Sequence, residues 1–209
     1  VCSSDLYASN FHLALPVLNA HELPATVFLT TGFVDGQVMP WFVRAEHAIA
    51  KTSQPSVHIN GVPCSLNDLA NRSAAYRAFC GFYKSLPTSE AESEVTSLEE
   101  RLAIRTPNPA DLPPALQPMD WEQAREMQRS VLITLGAHTH THPILARGSA
   151  RQQAQEIREC RARMASELGS APKLFAYPNG KLGDFDRSTM RLLRAAGFTS
   201  SVTMMERAM

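Results

Sequence analysis

The sequence predicts an α/β fold, and three observations carry that prediction. Short apolar runs rich in β-branched and aromatic residues, at 25–31, 131–135 and 173–176, alternate with longer stretches of helical periodicity. Capping patterns open several of those stretches, and Gly or Pro closes them. The two most chemically specific segments, a histidine cluster and a Pro-Asn-Gly turn, directly follow two of the runs, where sheets of parallel strands bind their ligands.

Each element has its own local reason. Ser9 or Asn10 caps a first helix with Phe11, Leu15 and Leu18 on one face, and Pro16 is tolerated best near its first turn. Pro24 then leads into a buried strand at 25–31 through Thr26, Val27, Phe28 and Leu29. Residues 40–118 show helical patterns at 41–50, 66–86 and 89–102, followed by a proline-rich connection at 107–118. We read this block as a helical insertion, with His47 and His58 as surface residues.

Asp120 with Glu122 and Gln123 starts a helix whose inward side is Trp121, Ala124 and Met127. It delivers the chain to a buried strand at 131–135, with Gly136 as the breaker where the chain leaves the sheet. Ser149 and Gln152 form a capping box for a helix with Ala150, Ala154, Ile157, Met164 and Leu168 on one face, ended by Gly169. Its charges Arg151, Glu156, Arg158 and Glu159 read as a solvated face. A short strand at 173–176 runs into Tyr177-Pro178-Asn179-Gly180. Asp186 then opens a helix with Met190, Leu193 and Ala196 inward, and 199–203 begins another strand.

Composition excludes several classes. A chain of 209 residues can bury one sizeable core, and 20 basic residues balance 20 acidic ones. That neutrality argues against nucleic acid or an anionic membrane as the main partner. Cys2, Cys64, Cys80 and Cys160 form no Cys-x-x-Cys pair, so neither a zinc knuckle nor a disulfide framework is indicated. No apolar run approaches the roughly 20 residues of a membrane span. The chain opens on Val1 and closes on Met209 after a predicted strand, so both ends read as cut.

Residues 135–145 read Leu-Gly-Ala-His-Thr-His-Thr-His-Pro-Ile-Leu. In a helical turn His138 and His142 would stack on one face, where both imidazoles could hold one divalent ion. In an extended segment His138, His140 and His142 would share a face instead. The spacing leaves both open. A Pro-Asn-Gly turn past a strand can also point a backbone N–H into a cleft, as stabilising an oxyanion requires.

The run from Gly136 to Leu145 resembles the metal-binding motif His-[Ser/Thr]-x-x-His-Pro of polysaccharide deacetylases, the NodB-homology family, with His138, Thr139, His142 and Pro143 matching it. The resemblance makes His138 and His142 metal ligands and leaves His140 variable. It extends over residues 7–33 and 119–202 and implies an incomplete, distorted (β/α) barrel of the NodB type over 7–209, with 40–118 as the helical insertion. Residues 1–6 resemble the translation of a sequencing adapter, a non-native N-terminus. Aligning Tyr7 with the tyrosine of the family's Thr-Phe-Asp-Asp-Gly-Tyr segment puts Asp5 on the metal aspartate and Ser4 on the general base, which a serine cannot replace.

Pro178 and Gly180 match the family's third motif, which makes the Asn179 backbone amide the oxyanion donor and places Tyr177 and Pro178 beside substrate. Ala176 stands where the family has an arginine that orients the base, and the general-acid histidine has no counterpart before Met209. The implied function is metal-dependent removal of acetyl groups from an N-acetylated polysaccharide or oligosaccharide, with zinc held by His138, His142 and Asp5, in the cell envelope or periplasm. This fragment is expected to be weakly active or inactive. The alternatives are a small-amide hydrolase of the same fold and a non-catalytic carbohydrate-binding relative.

Overall fold

The computed structural model describes residues 2–3 and 7–205. In chain order these form β1 (Cys2–Ser3), a five-residue π turn (Asn10–Ala14) continuing into α1 (Leu15–Ala20), β2 (Ala25–Leu29), α2 (Thr31–Val34) and α3 (Trp41–Lys51). There follow β3 (Ser56–Ile59), β4 (Val62–Ser65), α4 (Leu69–Ser85), α5 (Thr88–Leu102) and α6 (Trp121–Arg129). β5 (Ile133–Ala137), α7 (Ala150–Leu168), β6 (Leu174–Ala176), α8 (Arg187–Ala195) and β7 (Ser200–Val202) complete the chain. It divides into two compact units, one of Met39–Asn108 and one of the segments on either side of it.

The flanking segments build a five-stranded sheet in the order β1-β2-β5-β6-β7, every neighbouring pair parallel. Parallel neighbours need crossovers, which helices supply, and such strands are buried on both faces. β2 fits this, with Val27, Phe28 and Leu29 nearly inaccessible to solvent. Helices α6 and α7 press Met127, Ile157, Cys160 and Met164 into the same core as Val27, Leu29 and Phe175. This is an α/β architecture built on a parallel sheet, as the sequence predicts.

Local signals acted as expected at most helix ends. Capping boxes form at Asp120 with Gln123 and at Ser149 with Gln152, and Gly169 ends α7 at φ 73°. Pro16 sits in the first turn of α1, directly after the π turn.

Two expectations need correction here. Gly136 does not break the strand; β5 runs through it to Ala137, while Val131 lies outside and fully exposed. A Cβ on Gly136 would meet the Phe28 ring at 2.5 Å, so the glycine is there to let that ring lie against the strand. In α8, Met190 is 45% exposed, not inward. The Asp186 cap, closed by a 2.8 Å bond from the Thr189 amide, turns the stripe of Thr189, Leu193 and Ala196 to the core and Met190 off it.

The unit Met39–Asn108 has its own core around Trp41, Phe79, Val95 and Leu98. It is not purely helical. β3 and β4 make an antiparallel hairpin whose two-residue loop, Asn60-Gly61, has both residues at positive φ, 49° and 76°. Arg44, buried, is paired with Glu99 and Glu92, and these carboxylates hold its pKa above the usual value against the opposing effect of burial. His58 is exposed on β3, whereas His47 is half-buried.

Candidate metal centre

β2 and β5 pair in step and end together, Leu29 opposite Ala137. Past that point the two chains stay bonded. The His138 amide donates to Leu29 O (2.9 Å), Thr30 Oγ1 to His138 O (2.9 Å) and the Gly32 amide to His140 O (2.9 Å). A Cβ on Gly32 would stand 2.7 Å from that oxygen, so only glycine lets the loops meet. The histidine segment is therefore anchored at the carboxyl end of the sheet, where side chains from several strands converge.

Neither local conformation considered for the histidines occurs. The segment is an irregular loop in which Thr139 (φ 68°) and His142 (φ 64°) are left-handed. A β-branched residue there is an outlier that costs on the order of 1–3 kcal/mol and persists only where its surroundings over-determine it. They do so here. The fully buried Thr139 hydroxyl donates to His138 O and accepts the His142 amide at 3.0 Å. Glu156 of α7 accepts the amides of His140 and Thr141, both at 2.9 Å, and the Thr141 hydroxyl at 2.6 Å.

This loop turns His138 and His142 toward one another, their ring centroids 4.8 Å apart and planes at 75°. Both are buried, 2% and 8% exposed. His138 Nδ1 lies 2.8 Å from Ala176 O at the end of β6. A carbonyl can only accept, so Nδ1 carries the proton and Nε2 keeps its lone pair. Burial pushes the His138 pKa down to about 4, the Ala176 carbonyl opposing, so the ring is neutral at ordinary pH. His140 does not join the pair: its Nδ1 is 2.9 Å from Thr31 Oγ1.

The Pro-Asn-Gly turn follows β6, the strand beside β5, and so shares the same edge of the sheet. Asn179 (φ 59°) and Gly180 (φ 64°) are left-handed, and the turn is tied by Gly180 N to Pro178 O (2.8 Å) and Met204 N to Gly180 O (3.0 Å). Tyr177 and Pro178 are buried. Tyr177 stacks on Phe185 at 4.0 Å, and Ser201 Oγ donates to its hydroxyl at 3.1 Å. The side-chain Nδ2 of Asn179 is buried with no hydrogen-bond partner among the described residues. Asp5 and Ser4 lie outside the described residues. Among those described, no group of three His, Cys, Asp or Glu converges.

Glu156 is the residue that sequence reasoning misread. Its place on a charged helix face suggested solvent, whereas its carboxylate holds the histidine loop. Asp35 was not singled out either. Its side chain is 5% exposed, and burial tends to raise its pKa. Hydrogen bonds from Arg163 and the Trp121 indole, with the Arg163 charge, bring it net below the usual value. No local sequence pattern marks either residue, because each acts across more than a dozen positions.

Two buried imidazoles thus meet edge to face at the carboxyl edge of a parallel α/β sheet. The family model for polysaccharide deacetylase matches residues 4–201, and the chain belongs to that family. Three solved structures share the fold. The BpsB deacetylase domain from Bordetella bronchiseptica is 16% identical, with a TM-score of 0.55 over 97% of this chain and 62% of that one. IcaB from Ammonifex degensii is 20% identical, with a TM-score of 0.53 over 98% and 58%. The Streptococcus pyogenes deacetylase PplD, in complex with acetate, is 13% identical, with a TM-score of 0.52 over 94% and 51%. The chain thus spans between about half and three-fifths of the length of these proteins. No curated protein matches it.

Proposed function

We propose that the protein is a metal-dependent N-deacetylase that hydrolyses acetamide groups on an N-acetylated polysaccharide or oligosaccharide of the cell envelope. The observation that carries this reading is the pair of buried imidazoles, meeting edge to face with centroids 4.8 Å apart. Family membership supports it. The residues suit a divalent ion such as zinc: His138 is neutral, its proton is fixed on Nδ1, and Nε2 is left as a donor. His142 would be the second ligand and Asp5 the third. Bound there, the ion would supply Lewis-acid polarisation of the acetyl carbonyl and acidify water.

The chain's own groups do the remaining work. The Asn179 amide is assigned to the oxyanion that forms as the carbonyl carbon becomes tetrahedral. Tyr177 and Pro178 set the height of that turn beneath the sugar. A carboxylate is required to take the proton of the attacking water, and Ser4 stands at its position; its hydroxyl has no titration near neutral pH. Turnover by this sequence is therefore slow or nil.

Ser4 also favours one other reading, a carbohydrate-binding relative without catalysis. Acetate release from N-acetylglucosamine oligomers with added zinc separates the two. Replacing Ser4→Asp is expected to raise the rate by about 10²–10⁴-fold, the usual contribution of a positioned base. Oligomer that binds but is never cleaved by either protein would establish the binding role. Release confined to small acetamides would redirect the assignment to a small-amide hydrolase.

A further inference from the structure

Beside its bonds to the segment after β2, the histidine loop is gripped by one carboxylate of α7. Glu156 Oε2 accepts two consecutive backbone amides, those of His140 and Thr141, and Oε1 accepts the Thr141 hydroxyl. These are the residues between His138 and His142. The carboxylate is itself held rigidly, because it projects from a 19-residue helix whose neighbouring Ile157 and Cys160 are fully packed in the core. The Cys160 thiol bonds Leu29 O at 3.6 Å, at the end of the strand that the loop is stitched to.

We propose that Glu156 is a positioning residue for the metal pair: its carboxylate holds the left-handed loop that turns the two imidazoles onto one ion. This rests on the metal-dependent reading above. A carboxylate suits the task because it accepts at both oxygens, matching two amides and one hydroxyl. Glutamine would keep one accepting oxygen for the amides and present an NH₂ group to Thr141. Alanine would leave both amides without acceptors, and the strained φ angles of Thr139 and His142 would be held only by the Thr139 hydroxyl and by the bonds to the segment after β2 and to Ala176.

Calorimetric titration of the metal-free full chain with Zn²⁺, together with the Co²⁺ absorption spectrum as a signature of ligand geometry, tests this. Glu156→Ala is expected to weaken zinc binding roughly 10- to 100-fold, the usual effect of removing a group that orients a ligand, and to alter the Co²⁺ bands. Glu156→Gln and Thr141→Val should show smaller losses in the same direction, and either decides the matter if the alanine variant does not fold. Arg163→Met, on the same helix as Glu156, removes the ion pairs to Asp35 and Glu167 and is expected to lower thermal stability and leave zinc affinity unchanged. Equal affinity in wild type and all Glu156 and Thr141 variants would overturn the positioning role alone. A loss in Arg163→Met equal to that in Glu156→Gln would overturn it too, as a mere effect of stability. Wild-type protein that takes up neither Zn²⁺ nor Co²⁺ would overturn the metal reading and this inference with it.

Discussion

Two loops leave the same edge of the sheet, and they are built on opposite principles. The histidine loop has two left-handed residues, neither of them glycine or asparagine, and nearly every polar group around them is committed: Thr139 and Thr30 to His138 O, Glu156 to three donors. The Pro-Asn-Gly turn places its positive φ angles on Asn179 and Gly180, which accept them readily, and it leaves a buried amide group, Asn179 Nδ2, unbonded. Under the proposed function the contrast has a reason: a loop that is to hold an ion has its geometry fixed by the protein in advance, whereas a turn that is to meet a substrate keeps a donor in reserve.

The largest effect should come from breaking the held loop at its ligand. His138→Ala removes a 2%-exposed ring together with its hydrogen bond to Ala176 O. We expect loss of measurable zinc binding by calorimetry, accompanied by a lower thermal midpoint. Zinc binding that survives at wild-type strength would place the ion elsewhere and undo the comparison.

A subtler break tests whether the loop is held by bonds or by shape. Thr139→Val conserves volume and β-branching but deletes the hydroxyl that links His138 O to the His142 amide. The His142 amide is then buried without an acceptor, at a cost of about 1–3 kcal/mol. Thr139→Ser keeps the hydroxyl and should retain most of the stability and zinc affinity. Chemical denaturation of the pair decides it: if valine and serine behave alike, packing rather than hydrogen bonding fixes the loop.

What could be read from sequence follows the same division. Strands, capping boxes and the role of Gly169 were legible because each is a local pattern of a few residues. The hairpin at Ser56–Ile59 and Val62–Ser65 was equally local, and Asn60-Gly61 was its signal; it was passed over because helical periodicity dominates the surrounding segment. Gly136 misled because a glycine that breaks a strand and one that admits a ring from the next strand are the same letter; Phe28, 108 positions away, is what distinguishes them. In the site, the motif marked His138 and His142, but not their conformation: neither threonine nor histidine announces a positive φ. Glu156 looked like its exposed neighbours Arg158 and Glu159, since what it binds comes from another part of the fold.

The smallest expected effect lies in the receiving turn, and it sharpens what that turn contributes. Asn179→Gly preserves the backbone's left-handed conformation, φ 59°, while removing the side-chain amide. The oxyanion role assigned to Asn179 belongs to its main-chain N–H, so the glycine variant should fold normally and, in the Ser4→Asp background, release acetate at close to the parent rate. Asn179→Ala, which must hold φ 59° without asparagine's tolerance of it, should lose about 1 kcal/mol of stability and some rate with it. A large drop in kcat for the glycine variant with its stability intact would transfer the donor role from the backbone to Nδ2. The unbonded amide would then be the group that the substrate's acetyl oxygen meets.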